Sequence, residues 1–492
     1  MSSKHVKTAA LYIISALFVA VGLYCVIKKD TYLAFATPAV LGVLMLYVYS
    51  LDKVLLLVSF LTPLSINIQS LNVRLALSLP VEPLLAGLLL LFIVKYIYDR
   101  KFDTKISTHP ISVVIYIMFI WMTITTITSE MPIVSIKFII SRLWFVIPSY
   151  FMCAVLFKKP QNISKFVWLY IAGLVIVVCY TIINHSHYGF DGDTAHWVMT
   201  PFYNDHTAYG AALAVYIVLC AALLFMPNMK KSRRIIGILV FCLLIVAIIL
   251  SFCRASWISL IAALGVLICV LLKIKFKYIA VVVVVLIGLF FTFQQQIFDS
   301  LSKNDQDASG NVVENIQSMT NITTDASNLE RINRWNSAFR LFKERPVFGW
   351  GPGTYQFVYA PFQESKNKTI ISTNSGDMGN AHSEYIGALA EQGLMGSLIV
   401  VSIVIVFMYS GLMTYRRAKN KESKILVLGA TLALLGYFVH GTLNNFLDTD
   451  KLAVPVWSCM AIITAIDCYH ADKENFYETT ELSDRQQVPD QK

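Results

Sequence analysis

Charge is scarce in this sequence. Only 14% of its 492 residues are charged, against roughly a quarter in an ordinary globular domain. A soluble chain of this length reads as two or three domains with polar residues interspersed throughout. Here the polar residues sit in short runs between apolar stretches of about 17–25 residues, the length that crosses a bilayer core as helix. Hydrophobic residues make up 57%, and the mean hydropathy is +0.63. One such stretch fits a buried core helix; about fourteen do not. The sequence also lacks any Cys-x-x-Cys pair. Cys25, Cys153, Cys179, Cys220, Cys242, Cys253, Cys269, Cys459 and Cys468 all lie in or beside apolar stretches, which favours small buried hydrophobes over disulfides or zinc. The short apolar region and small-residue cleavage site of a signal peptide are missing too. Lys4 and Lys7 lead directly into a long apolar stretch, read as an uncleaved first span.

The expected spans are 8–27, 31–50, 53–68, 80–97, 111–129, 135–157, 164–184, 207–226, 234–251, 256–272, 277–294, 384–411, 424–443 and 452–469. The fold class is therefore all-α: a polytopic transmembrane bundle of about 12–14 spans. Lys and Arg collect in alternate connections: 95–105, 158–165, 230–234, 273–277 and 416–424. By the positive-inside rule both termini are cytosolic. Lys28 and Lys29 are the exception. The net charge of +10 then reflects contact with anionic headgroups, and its runs carry no interleaved aromatics of the kind that bind nucleic acid.

Two outward segments, 185–206 and 295–383, are longer than connectors need to be. The organisation expected is a membrane bundle over 1–294, a large extracytoplasmic loop over 295–383, membrane helices over 384–470 and a disordered cytosolic tail over 471–492. Within the loop, Leu329, Ile332, Trp335, Phe339 and Phe342 recur at helical spacing. They predict an amphipathic helix from Asn328 to Lys343, capped by Asp325 or Ser327 and ended by Pro346.

Charged groups at membrane depth are expensive and are functional candidates by default. Arg254 opens a span; Lys137 and Arg142 lie in another, five residues apart and not squarely on one face. Arg331 and Arg334 lie on the loop helix, and His382 stands where the chain re-enters the membrane. Cations beside an imidazole suit a phosphorylated lipid: arginines grip phosphate oxygens in a forked geometry, and histidine accepts a proton near neutral pH. Each also has a plainer role: a snorkelling or paired arginine, a capping histidine, Gly393 and Gly396 as helix-packing residues. His206 is a further polar candidate beside Asp205.

His382-Ser383, nine residues, then Gly393-Leu394-Met395-Gly396 resembles the His-Asn/Ser, nine-residue spacer, Gly-x-x-Gly signature of the O-antigen ligase and polymerase superfamily. Arg331 with Trp335, followed by Pro346-Val347-Phe348-Gly349-Trp350-Gly351, is similar to that family's arginine, x3, Trp segment and Pro-x-x-Gly-x-Gly turn. Arg254-Ala255-Ser256-Trp257 resembles its Arg-small-x-Trp span start. The resemblance covers about 200–410. It implies an inverting glycosyltransferase with no metal and no cofactor, moving a glycan from undecaprenyl pyrophosphate to an acceptor hydroxyl such as one on lipid A-core. Arg254 and Arg331 would hold the pyrophosphate and His382 would orient or deprotonate the acceptor. Arg334, Lys137, Arg142 and His206 would be substrate-binding. An O-antigen or exopolysaccharide polymerase shares this chemistry, as does transfer to protein serine or threonine. From a different class, a lipid-linked oligosaccharide flippase fits the spans and cations but not the long loop, and no inverted repeat is evident. A metal-dependent transferase would use Asp191, Asp193 or Asp205.

Overall fold

A computed structural model describes residues 42–47, 49–67, 77–227, 229–274, 326–365, 368, 372 and 379–477. Among them, ten helices are long and apolar enough to cross a membrane. We number the main helices α1 (Leu51–Leu61), α2 (Val81–Asp99), α3 (Pro110–Ile127), α4 (Pro132–Leu156), α5 (Pro160–Ser186), α6 (His206–Leu224), α7 (Lys231–Leu250), α8 (Arg254–Leu271), α9 (Ala326–Glu344), α10 (Glu384–Arg417), α11 (Lys421–His440) and α12 (Asp450–Tyr469). Pro110, Pro132 and Pro160 each open their helix, a position where the missing N–H would have no partner anyway.

The bundle is built around α12, in which every residue from Asp450 to Ile466 is buried. α11 packs against it and also against α6, α8 and α10. α2, α7 and α8 lie at the periphery and present much of their apolar surface outward, as helices facing lipid do. The expected spans at 8–27 and 277–294 lie outside the described residues, and 31–50 largely so. The one expected at 53–68 is corrected. α1 has eleven residues, about 16 Å at 1.5 Å per residue, which is too short to cross. Its chain turns at Pro63 into a two-residue antiparallel pairing, Ile66–Asn67 with Ser78–Leu79. Lys451 ties this half-helix to the core: its ammonium donates to the carbonyls of Thr62 (2.8 Å), Pro63 (3.1 Å) and Ser65 (2.6 Å).

The basic connections gather at one end of the bundle. There Lys158 pairs with Asp103, Lys159 with Asp52 at 3.8 Å, and Arg417 with Asp467 at 3.0 Å. Residues 471–477 dock at the same end, with Lys419 N–H donating to Ala471 O at 2.8 Å and Phe476 buried. The loop helix α9 meets the opposite end, hereafter the loop end.

α10 is not a continuous helix. Gly393 has φ +68° and ψ −169°, a conformation open to glycine and strained for other residues. The break frees carbonyls that a regular helix would satisfy internally, and the 346–355 turn takes them up. Trp350 N–H donates to Ala390 O (3.2 Å), Gly351 N–H to Glu391 O (2.8 Å), and Leu394 N–H to Pro346 O (3.0 Å). From α3, Trp121 donates its indole N–H to Gln392 O at 2.9 Å. Gly349, at φ +67°, lies so close that a Cβ there would fall 2.4 Å from the Glu391 carbonyl.

A Cβ at Gly393 would fall 2.1 Å from Val347 O. Gly393→Ala is therefore expected to cost at least about 1–3 kcal/mol in backbone strain alone. Gly265→Ala, where nothing lies within 4 Å, is the control. A thiol-reactive dye reports melting in detergent because Cys153, Cys220, Cys253 and Cys459 are buried. Gly393→Ala should melt several degrees below both wild type and the control.

Candidate functional site

At the loop end, four pieces of chain converge: the N-terminus of α6, the N-terminus of α8, the loop helix α9, and residues 379–384 leading into α10. The 441–449 connection closes the site from the side of α11 and α12. Glu384 staples it there. Its Oε1 accepts from Tyr437 OH (2.6 Å), Phe446 N–H (2.9 Å) and Leu447 N–H (3.1 Å), while its own N–H donates to Gly441 O at 2.8 Å. Two arginines hold the same connection: Arg331 Nε donates to Leu443 O at 3.2 Å and Arg142 Nη1 to Leu447 O at 2.7 Å.

His382 is half-buried and has φ +47°, a left-handed conformation unusual for a residue with a side chain. Asn380 Oδ1 accepts its N–H at 3.0 Å, and Trp335 donates its indole N–H to the His382 carbonyl at 3.4 Å. Ser383 then caps α10, its Oγ accepting from Ile386 N–H at 3.3 Å. Serine and asparagine are both favoured in that role, so exchange of one for the other after the histidine keeps the cap. Enclosure, then the guanidinium groups of Arg331 and Arg334, lower the His382 pKa to about 4. The imidazole is thus neutral at physiological pH.

Arg331 lies within electrostatic reach of His382, His440 and Cys253. Cys253 Sγ is 3.8 Å from His440 Nε2, and the next residue, Arg254, opens α8. Arg331 and His382 therefore meet from two separate segments at one corner, beside the start of α8, which Arg254 opens. Asp205 borders the same corner and acts on His382 and His440. Its carboxylate also caps α6, accepting from Thr207 and Ala208 N–H, both at 2.8 Å. His206 follows, with its ring 4.1 Å from that of His196.

The remaining expected residues divide. Arg334 is buried, bonded to Glu330 Oε1 at 2.6 Å and stacked 4.1 Å over the Tyr359 ring. Glu330 is bonded in turn to Ser372, and its neighbours, Ser372 and Arg334 foremost, offset burial and hold its carboxyl below the ordinary carboxylate range. Lys137 is exposed, away from these contacts, while Arg142 turns inward, in line with their offset on the helix. α9 forms where expected, but it buries Glu330, Asn333, Arg334, Ser337, Ala338 and Leu341. Phe339 on the apolar stripe is exposed. A buried polar network tethers this helix, where periodicity predicted an apolar seam. Of its expected caps, neither Asp325 nor the Ser327 side chain is among the described parts.

Acidic residues at depth were passed over in the sequence. Glu384 and Glu391 are seven apart on one helix, a spacing that puts both on one face. Among the described residues, no three His, Cys, Asp or Glu side chains converge as a metal site.

An all-helical membrane bundle with a cationic corner beneath a helical loop defines a polytopic membrane protein whose site lies at one surface of the bilayer. Residues 239–401 match the family model described as O-antigen ligase. The matched stretch contains Arg254, Arg331, His382 and Gly393. Over 255 residues, 51% of this chain, it is 23% identical to an uncharacterized protein of Haemophilus influenzae, and the match spans 61% of that protein's length.

Removing one partner of a buried ion pair strands the other at a cost of about 3–5 kcal/mol, whereas replacing both by apolar groups is often neutral. Glu330→Ala is expected to make the loop sensitive to limited proteolysis. The Glu330→Leu/Arg334→Met double variant is expected to restore most of its resistance.

Proposed function

We propose that this protein transfers a glycan from undecaprenyl pyrophosphate to an acceptor hydroxyl, with the loop end on the outer side of the bacterial cytoplasmic membrane and both termini cytosolic. The observation that carries this reading is the nearness of Arg331 to a neutral His382 beneath the loop helix, beside the end of α8 where Arg254 begins a membrane-spanning helix. The acceptor oxygen attacks the anomeric carbon and gives up its proton to His382. The bond from that carbon to the phosphate oxygen breaks on the opposite face, so the configuration inverts. Undecaprenyl pyrophosphate leaves with its developing charge held by Arg254 and Arg331. Metal plays no part in this scheme, and EDTA is expected to leave the rate unchanged. Ligation to a lipid A-core acceptor is our preferred assignment; polymerisation of repeat units uses the same groups.

Burial and then the nearby arginines, Arg331 foremost, make His382 a weak base before substrate binds. Binding of an anionic pyrophosphate offsets their charge and raises the basicity of the imidazole when it is needed. Only the neutral form accepts a proton, so activity falls as pH drops through the His382 pKa. In purified protein with a synthetic lipid-linked glycan, kcat/KM is expected to hold from pH 8 to about 5 and to fall toward pH 4. The acid limb of kcat, which reports the occupied site, should lie higher. His382→Ala should lower kcat by about 10²–10⁴ with membrane insertion intact. Full activity in that variant would remove the base, and donor movement across liposomes without transfer would make the protein a transporter.

A further inference from the structure

A cavity of about 260 Å³ opens beside the cationic corner, lined in part by Asn380, Ala381 and Glu384 but by neither His382 nor Arg331. Its chemistry is opposite to that of the corner. Among the described residues Arg142 is the one cation in its lining, facing the carboxyl groups of Glu384, Glu391 and Asp448. Asp448 is exposed at its wall. The Glu391 oxygens accept from Gly353 N–H (2.9 Å) and Tyr355 N–H (3.0 Å), and each retains a second lone pair.

Two further groups point to a ligand. Trp457 is 1% exposed and lines the cavity, yet its indole N–H has no hydrogen-bond partner among the described residues. Asn445 also lines it, with its Oδ1 unpartnered in the same sense. Buried polar atoms are normally satisfied, so a cavity with both a donor and an acceptor left over is built to receive a polar guest.

We infer that this cavity is a subsite for one uncharged, hydroxyl-rich sugar ring of the transferred or receiving glycan. The inference rests on the glycan-transfer reading above. Carboxylates accept from ring hydroxyls and amides both accept and donate, while the aromatic rings in the lining, Trp457 and Tyr355 among them, suit the apolar C–H side of a pyranose. Three carboxyl groups against one guanidinium among the described residues leave no surplus of cations to hold a phosphate or a uronic acid. The volume is below the roughly 300 Å³ at which drug-sized sites begin, so it takes one ring and excludes a polyprenyl tail. Asn380 bonds the His382 backbone at 3.0 Å, so a ring seated here lies next to the residue proposed to activate the acceptor.

The test is saturation-transfer NMR on the full-length protein in nanodiscs, with methyl glucoside, methyl N-acetylglucosaminide and methyl glucuronide as probes. The two uncharged glycosides are expected to receive saturation and the glucuronide little. Asp448→Asn should weaken their binding about tenfold, and Ala388→Phe should fill the cavity and abolish it. Equal signals in wild type and both variants, or none with wild type, would overturn the subsite. In parallel, the transfer assay with Asp448→Asn should show a raised KM at little change in kcat. A rise for the donor alone would assign the ring to the donor glycan, and a rise for the acceptor alone to the acceptor. Glycoside binding in a protein that transfers nothing would leave the subsite standing and remove the transferase reading. Transfer by a wild type that binds no glycoside would do the reverse.

Discussion

Inside a hydrocarbon layer, a helix cannot be interrupted unless every freed carbonyl and amide finds another partner. α10 is interrupted at Gly393, and the partners come from a glycine-rich turn some forty residues earlier in the chain. This exchange of hydrogen bonds fixes the rest of the loop end. It docks the turn that follows α9 against the membrane helices, so it sets the position of α9, and with it Arg331. It also sets the start of α10, where Ser383 caps the helix and His382 is held in its left-handed conformation. Two glycine motifs that look independent in the sequence are the two sides of one contact.

The electrostatics follow from this arrangement. Arg334 is neutralised locally by Glu330, and its stacking on Tyr359 leaves it a tether for the loop. Arg331 reaches across to the Leu443 carbonyl and bears on His382 more strongly than Arg334 does. Two arginines three residues apart on one helix thus have different work, because one turn of helix separates a buried ion pair from the open corner. His382 is kept neutral by the same field that would attract a pyrophosphate. In the proposed reaction, binding and basicity would be coupled through charge.

Much of this was legible in the sequence. Hydropathy marked each of the ten membrane-length helices among the described residues, and the rule that charge at depth signifies function directed attention to Arg254, Arg331, Arg142 and Lys137. It failed in two places for physical reasons. Lys137 sits five residues before Arg142, so the helix turns it outward while Arg142 turns in. Glu384 and Glu391 were overlooked because attention went to groups that match a phosphate, although a buried carboxylate is as costly as a buried cation. The loop helix misled differently. Its apolar residues repeat at helical spacing, but Glu330, Asn333 and Ser337 are buried in a polar network. Periodicity reports which residues share a face and is silent on whether that face or another is covered. α1 was read as a span because apolar composition does not record length lost to a proline, nor the Lys451 clamp that lets a half-helix end inside the bundle.

The short segment 379–384 separates two compartments of opposite sign. On one side lie Arg254, Arg331 and His382; on the other, Glu384, Glu391 and Asp448 with the single Arg142. A lipid-linked glycan has the same division, with anionic phosphates joined to uncharged or hydroxyl-rich rings through one scissile bond. Complementing both halves requires cations and carboxylates a few ångströms apart that do not simply pair with one another. The fold prevents that pairing by giving each carboxylate backbone donors of its own: Gly353 and Tyr355 for Glu391, Phe446 and Leu447 for Glu384. Backbone N–H groups carry no net charge, so they satisfy these carboxyl oxygens without adding positive charge to the cavity. Arg331 and Arg142 are satisfied in the same way by the carbonyls of Leu443 and Leu447. The 441–449 connection and the 346–355 turn thereby hold two fields of opposite sign apart, and the boundary between them falls at His382.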